Sequence, residues 1–401
     1  MHPSEQDTNM PLSGIRVLDL TRIISGPYCT SILADMGAEV IKIETPGEGD
    51  PVRRQGVIRD GLSWYFANYN RNKKSVTLDL YSQEGKDILR SLIPRCDVII
   101  ENYRPGIMER MGLGSDALKA LRPDIIHCSI NGFGTSGPYR DRPSFDFIAQ
   151  AMSGFMSLNG AESDPPMRAA PPISDLIAGM NGALGVMAAL LRRERTGRGD
   201  TISVSLLSSM IGLLSFHAAN YFANGQLPAR TGNDHGIVAP YGLFETADGQ
   251  VAIAPSNDAM YEKFLDALEL QELRTHPDFQ ANADRMLNRT SIKAIIEART
   301  RQQATHYWIE RLNRYGVPCG QVMNLQEVFA DPQVADQEMA IDVPHPDGQQ
   351  VRMLGFPVKF AEAPCRAYRA SPELGGDTDD VLTGLGLSRE YIEQLRQAGK
   401  V

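Results

Sequence analysis

From residue 14 to residue 205 the chain alternates short apolar runs with longer amphipathic stretches, and this alternation narrows its possible folds more than any other feature. Residues 15–20, 40–44, 75–80, 97–101 and 125–130 have the length and composition of buried strands, while 28–36 and 84–92 repeat apolar residues at helical spacing. Strand, helix and strand in repetition require crossover connections. A largely parallel sheet with helices on both faces is therefore expected. A long helical pattern over 170–200, a further strand at 201–205 and an apolar helix at 206–222 complete this part.

The pattern changes near Gly225. Residues 241–255 read as a hairpin turning at 247–250, and helices are expected around 260–270, 291–299 and 307–314. From Val317 strand signals return, with a turn at Pro346-Asp347-Gly348, and the chain closes on a polar helix at 389–397. With 401 residues, and roughly 100–200 per domain, two or three domains are expected. The order of elements suggests a large α/β domain over 1–224, a smaller α+β domain over 225–330, and a segment over 331–401 that returns to the first.

A net charge of −9 argues against a general binder of nucleic acid or anionic membranes, so an anionic ligand needs a local basic cluster. Such clusters occur at Arg53-Arg54, at Arg71-Asn72-Lys73-Lys74, and at Arg104 and Arg110. Each reads either as solvated surface or as part of a polyanion site. Residues 1–14 lack the basic and apolar regions of a secretory signal, and the weakly polar run 176–191 falls short of the roughly 20 apolar residues of a membrane span. Five cysteines, Cys29, Cys96, Cys128, Cys319 and Cys365, are widely spaced without a CxxC pair. Reduced, buried thiols in a cytoplasmic protein are expected.

Asp175 stands at the head of the 170–200 helix, ahead of an almost charge-free stretch. A helix N-cap is one explanation; a carboxylate nucleophile is the other. No GxGxxG follows the first strand and no GxxxxGK[ST] loop occurs, which sets aside the common dinucleotide and P-loop fingerprints. Ser25-Gly26-Pro27 is either a plain strand-to-helix turn or a point where another group approaches the backbone.

Several segments occur in an order that identifies a resemblance. LTRIISGP (20–27), GAEVIKIE (37–44), NRNKKS (70–75), ENYRPG (101–106), GFGTSGP (132–138), Ser174-Asp175, TGRG (196–199), YGVPCG (315–320) and LGGDTD (374–379) follow one another as in class III CoA-transferases. The resemblance implies a Rossmann-like large domain, a small domain, and a homodimer of interlocked rings. It implies that Asp175 is the nucleophile, working through an acyl-aspartyl anhydride and an aspartyl-CoA thioester. Acyl-CoA and a free carboxylic acid would be the partners; coenzyme A would be a substrate, with no tightly bound cofactor or metal. By the same resemblance CoA contacts fall on Ile24, Ser25, Leu78, Asp79, Leu80, Tyr81, Asn102, Tyr103, Arg104, Arg110 and Asn131.

The chain also departs from formyl-CoA transferases. Ile24 replaces a glutamine, Asn131 a lysine, and 230–241 lacks their glycine-rich loop. Residues 206–209, 217–221 and 235–241 look most like the branch that includes succinyl-CoA:glutarate CoA-transferase, which implies dicarboxylic acyl groups. His235 is either a ligand of a distal carboxylate or a loop histidine satisfied by backbone. Two alternatives share this fold: α-methylacyl-CoA racemase-like proton exchange, and a non-catalytic acyl-CoA-binding protein. Phe145 stands where the racemase histidine is expected, and a phenyl ring carries no proton.

Overall fold

Each apolar run of the first half becomes a strand in the computed structural model, which describes residues 10–346, 348–363 and 368–401. The strands are β1 (Arg16–Asp19), β2 (Glu39–Glu44), β3 (Lys73–Thr77), β4 (Val98–Glu101), β5 (Ile126–Asn131) and β6 (Asp200–Ser205). All pair in parallel, in the order β3-β2-β1-β4-β5-β6. This is the doubly wound order, and its direction reverses between β1 and β4. The helices between strands include α1 (Ser25–Asp35), α2 (Trp64–Asn70), α3 (Gln83–Leu92), α4 (Asp146–Met152) and α5 (Ile173–Thr196). Strand β3 begins earlier than expected because Lys73, a charged residue, is buried within it.

The helix expected over 206–222 is split into α6 (Leu206–Gly212) and α7 (Ser215–Asn224), with Ser215 at φ 50°. The chain divides at this break into two compact units. One comprises described residues 10–154, 169–214 and 332–401; the other comprises 155–168 and 215–331. Residues 155–168 and 215–224, placed in the large domain from sequence, thus group with the second unit.

In that second unit β7 (Gly242–Glu245), β8 (Gln250–Ile253) and β9 (Cys319–Gln321) form an antiparallel sheet. Helices α8 (Asp258–Leu268), α9 (Arg289–Thr300) and α10 (Thr305–Arg314) pack around Phe244, Val251, Phe264, Ile292 and Trp308. The first unit resumes with an antiparallel pair, β10 (Ala340–Pro344) and β11 (Gln350–Leu354), and helices α11 (Thr378–Gly384) and α12 (Arg389–Gln397). Of the turn expected at 346–348, Asp347 lies outside the described residues.

Alternate residues of the parallel strands face opposite sides, so the sheet carries two cores. Leu18, Ile41, Val76 and Ile99 pack against α3, α11 and α12. Val17, Val40, Ile100, Cys128 and Ile130 pack against α1 and α5. Cys29, Cys96 and Cys128 are buried free thiols, Cys319 is half-buried, and Cys365 lies outside the described residues.

Helix α5 fills most of the helical pattern expected over 170–200, and, against the expectation for 176–191, by length and composition it could cross a membrane. Half of its most apolar stretch is buried, and its glycines let it press against α1 in the manner of a core helix. A Cβ on Gly179 would lie 2.7 Å from the Ser25 carbonyl oxygen, and one on Gly182 would lie 3.1 Å from Cys29 Sγ. Residues 175, 179 and 182 share one helix face, so the seam that joins α5 to α1 also brings Asp175 to the start of α1.

Gly179→Ala should force the two helices apart and cost about 1–3 kcal/mol, as overpacking does. Gly212→Ala in α6, where an added Cβ meets no atom within 4 Å, should be neutral or slightly stabilising. Urea midpoints of the two variants check this; equal midpoints would mean the seam can yield.

Candidate functional site

In an open parallel sheet, ligands bind beyond the carboxyl ends of strands where the strand order reverses. Here that point lies between the β1–α1 loop, 20–24, and the loop after β4, 102–106. A buried ionic network shapes the first loop. Asp19 accepts from the Thr21 N–H and hydroxyl with one oxygen, and from Thr30 and Lys73 with the other, at 2.7 and 3.2 Å. Lys42 Nζ donates to the Thr21 carbonyl at 2.7 Å and to Asp50 at 2.9 Å. Asp50 in turn accepts from the Ile23 N–H at 3.1 Å, holding Ile23 at φ 72°, a left-handed conformation that is strained for a β-branched residue.

Gly26 is required by this arrangement. A Cβ there would meet the Thr21 side chain at 2.3 Å, so the group that approaches its backbone is a protein side chain. The second loop is tied to the first by Asn102, whose amide oxygen accepts from the Arg22 N–H at 3.0 Å and whose amide nitrogen donates to the Arg22 carbonyl at 2.7 Å. Arg22 also lies over the Tyr103 ring.

Asp175 sits at the third position of α5. It is not the N-cap: that position is Pro172, which makes no side-chain capping bond. The carboxyl is half-buried beside Ser25, the buried first residue of α1, whose hydroxyl favours the ionised form. Burial, with the Asp146 carboxylate as a lesser cause, outweighs Ser25 and pushes its pKa up to about 7. Tyr65 and Tyr69 of α2 feel its charge, which adds to burial in raising both phenols. Together with Tyr28 they form an edge-to-face cluster, with ring centroids 6.0 and 5.8 Å apart. The result is a carboxyl of raised pKa, a hydroxyl and an aromatic wall in one corner.

The other expected positions spread along the carboxyl end of the same sheet. Ile24 is buried at the N-cap of α1. Leu78 is 1% exposed and packs in the core, so it offers no free surface to a ligand. Asp79 is tied to Lys400 at 3.1 Å, Leu80 packs on the core, and Tyr81 is 91% exposed. Asn131 is buried, accepting from the Gly134 N–H and donating to Ser129.

Of the basic clusters, four members serve the fold. Arg53 forms a two-point pair with Glu44, Arg71 with Asp35; Lys73 is buried on Asp19 and Lys74 bonds Glu39. These are not free for a polyanion. Arg104 and Arg110 are exposed and make no ion pair among the described residues.

In the second unit, His235 lies between Phe216 and Tyr241, with centroids 5.5 and 4.7 Å away. Its Nδ1 accepts from the Ile237 N–H at 3.3 Å, and burial, aided by His217 and Arg289, lowers its pKa. It is therefore a neutral imidazole with Nε2–H to offer, not an imidazolium. The nearby cation is Arg289, which donates to the His235 carbonyl at 2.8 Å.

Four residues near these sites were not singled out from sequence: Tyr65, Tyr69, Asp146 and Arg289. The i,i+4 tyrosines behind Ser63, whose hydroxyl caps α2, mark a short helix with an aromatic face. Nothing local signals Asp146, whose partner Ser174 is 28 residues away.

Residues 12–378 match CoA-transferase family III. The human succinyl-CoA:glutarate CoA-transferase is 36% identical over 400 residues, covering 99% of this chain and 91% of that protein. The succinyl-CoA:mesaconate CoA-transferase of Haloarcula hispanica is 38% identical, covering 95% and 98%. Among solved structures, a CaiB/BaiF family protein from Brucella suis superposes with a TM-score of 0.83 at 37% identity, covering 94% of this chain and all of that one.

A carboxyl pKa raised on folding means that the folded state holds the proton more tightly than the unfolded chain. The cost of ionising Asp175 is absent below the unfolded value near 4, grows as pH rises, and is complete above about 7. Asp175→Asn should therefore stabilise the protein at pH 8 by ~1–2 kcal/mol after allowance for solvent screening, and hardly at all near pH 4. Melting temperatures at both pH values test this, and an equal difference at the two would remove the charge penalty from the account.

Proposed function

The chain belongs to CoA-transferase family III, and from that premise we propose that it passes CoA from a dicarboxylyl-CoA donor to a free dicarboxylic acid with Asp175 as nucleophile. The supporting observation is the desolvated Asp175 carboxyl, with Ser25 beside it, at the switch-point crevice of a parallel sheet. In this mechanism the ionised carboxylate attacks the donor thioester carbonyl, forming a mixed anhydride and expelling CoA thiolate. The thiolate attacks the aspartyl carbonyl, which releases the donor acid and leaves an aspartyl-CoA thioester. The acceptor carboxylate attacks next and again displaces the thiolate. Attack of the thiolate on the new acyl carbonyl then frees Asp175. Each step exchanges one acyl bond for another, so the activation of the thioester is kept provided water stays out.

The Asp175 environment suits that demand, because the tyrosine wall and apolar α5 leave little room for water and raise the carboxylate's basicity. Arg104 and Arg110 are the free cations for the phosphates of CoA, each such contact being worth about 1.5–3 kcal/mol. The named relatives act on glutarate and mesaconate, which supports a dicarboxylate for this chain as well. Within the second unit, the carboxylate ligand we assign is His235 Nε2–H with the charge of Arg289 beside it. Leu184 and Leu191 of α5, Ile211 of α6 and Phe147 of α4 are exposed apolar residues, which supports a second copy of the chain as the cover of that face. Proton exchange at an α-carbon fits less well: Phe145 is 71% exposed and carries no base, and both Asp146 oxygens are taken up within the protein.

Succinyl-CoA incubated with a panel of free acids should give new CoA esters of dicarboxylates, identified by mass. Glutarate should exceed a monocarboxylate of similar length about tenfold or more in kcat/KM, as a charge-assisted bond of 1.5–3 kcal/mol requires. Asp175→Ala should fold yet lose transfer, and hydroxylamine should trap an acylated peptide containing Asp175 only in the wild type. His235→Ala should raise the acceptor KM alone. Normal turnover by Asp175→Ala would eliminate the covalent route; equal use of mono- and dicarboxylates would eliminate the substrate class.

A further inference from the structure

Helix α5 lacks a cap of its own, yet its first turn carries the proposed nucleophile. The missing acceptor comes from another helix. Asp146, at the start of α4, takes the Ser174 N–H and the Ser174 hydroxyl on Oδ1, both at 2.9 Å. Its Oδ2 accepts from Gln150 Nε2 at 2.7 Å, and Gln150 Oε1 accepts the Ala169 N–H at 2.8 Å. Asp146, Gln150 and Ser174 are all buried. Two side chains one turn apart on α4 thus grip the first turn of α5 and the strand of chain that leads into it.

Charge gives this grip a chemical consequence. An unopposed helix N-terminus carries about half a positive charge, which makes a nearby carboxylate easier to ionise and correspondingly poorer as a nucleophile. Asp146 places a full negative charge at that end. We propose that Asp146 is a positioning residue for Asp175: it caps α5 from outside, fixes the turn that carries Asp175, and offsets the helix-end field that would weaken Asp175 as a nucleophile. This inference rests on the nucleophilic role of Asp175.

The remaining surroundings leave Asp146 as the charge able to do this. Helix α1 faces Asp175 with Ser25, α2 with Tyr65 and Tyr69. Helix α6 carries no charged side chain. Asp35 at the far end of α1 is paired with Arg71, and Asp200 of β6 with Arg192. The side chains of β5 on the α5 face, Ile126, Cys128 and Ile130, are buried apolar residues.

Asp146→Asn keeps the shape and an oxygen for Ser174 while removing the charge. The acidic limb of kcat/KM, followed with succinyl-CoA and the best acceptor acid, should move down by about one pH unit. The plateau kcat should fall about tenfold, with the donor KM unchanged. Ser174→Ala keeps the charge but loses one bond, so kcat should fall a few-fold with the limb in place. Asp146→Asn with a wild-type profile, or with reduced activity and an unmoved limb, would overturn the proposal. If that variant does not fold, a wild-type kcat for Ser174→Ala would overturn it instead. Asp175→Ala, assayed alongside, separates the two layers: its inactivity leaves only Asp146 at issue, whereas normal turnover by it removes the nucleophile itself.

Discussion

The buried contact between Lys42 and Asp50 holds the rest of the site in shape. Both side chains are almost fully removed from water, and the ammonium also binds the Thr21 carbonyl while the carboxylate binds the Ile23 N–H. Losing either partner would leave an uncompensated charge in the interior, a defect of about 3–5 kcal/mol. The loop would be affected as well, because Ile23 keeps its left-handed conformation through Asp50. The neighbouring Asp19–Lys73 pair fastens the same loop from β3, so three adjacent strands support one short turn. Ionic groups here specify a backbone path as much as they stabilise a fold.

On that platform the first turns of two helices converge. Helix α1 begins with Ser25 and α5 with the turn that carries Asp175, and the glycine seam sets how closely they approach. Backbone contact of this kind leaves little slack, so the hydroxyl and the carboxyl keep one relative position. Their low hydration follows from the same packing. Geometry and basicity at Asp175 therefore share a cause in the absence of side chains at Gly179 and Gly182.

The parallel sheet was legible in the sequence because strands buried on both faces appear as apolar runs, and the place of Asp175 was legible because an acidic residue breaks an otherwise uncharged stretch. What stayed hidden involves partners far apart in the chain. Lys73 looked like part of a surface cluster because its neutralising Asp19 lies on another strand, and Arg53 and Arg71 misled for the same reason. Asp146 was passed over beside Phe145, since capping from a separate helix leaves no periodic trace. The break between α6 and α7 fell inside a continuous apolar pattern, and apolarity alone does not mark where a helix turns away.

The double bond of Asn102 to the Arg22 backbone has one more implication. With the loops on both sides of the switch point joined before any ligand arrives, the crevice is already formed, and little backbone ordering accompanies binding. With the CoA phosphates assigned as proposed, the entropic cost falls on the long side chains of Arg104 and Arg110, at about 0.5–1.5 kcal/mol for each one immobilised. A cleft of this construction receives its ligand with stiff walls and mobile fingers, so release requires the fingers to let go while the walls stay where they are.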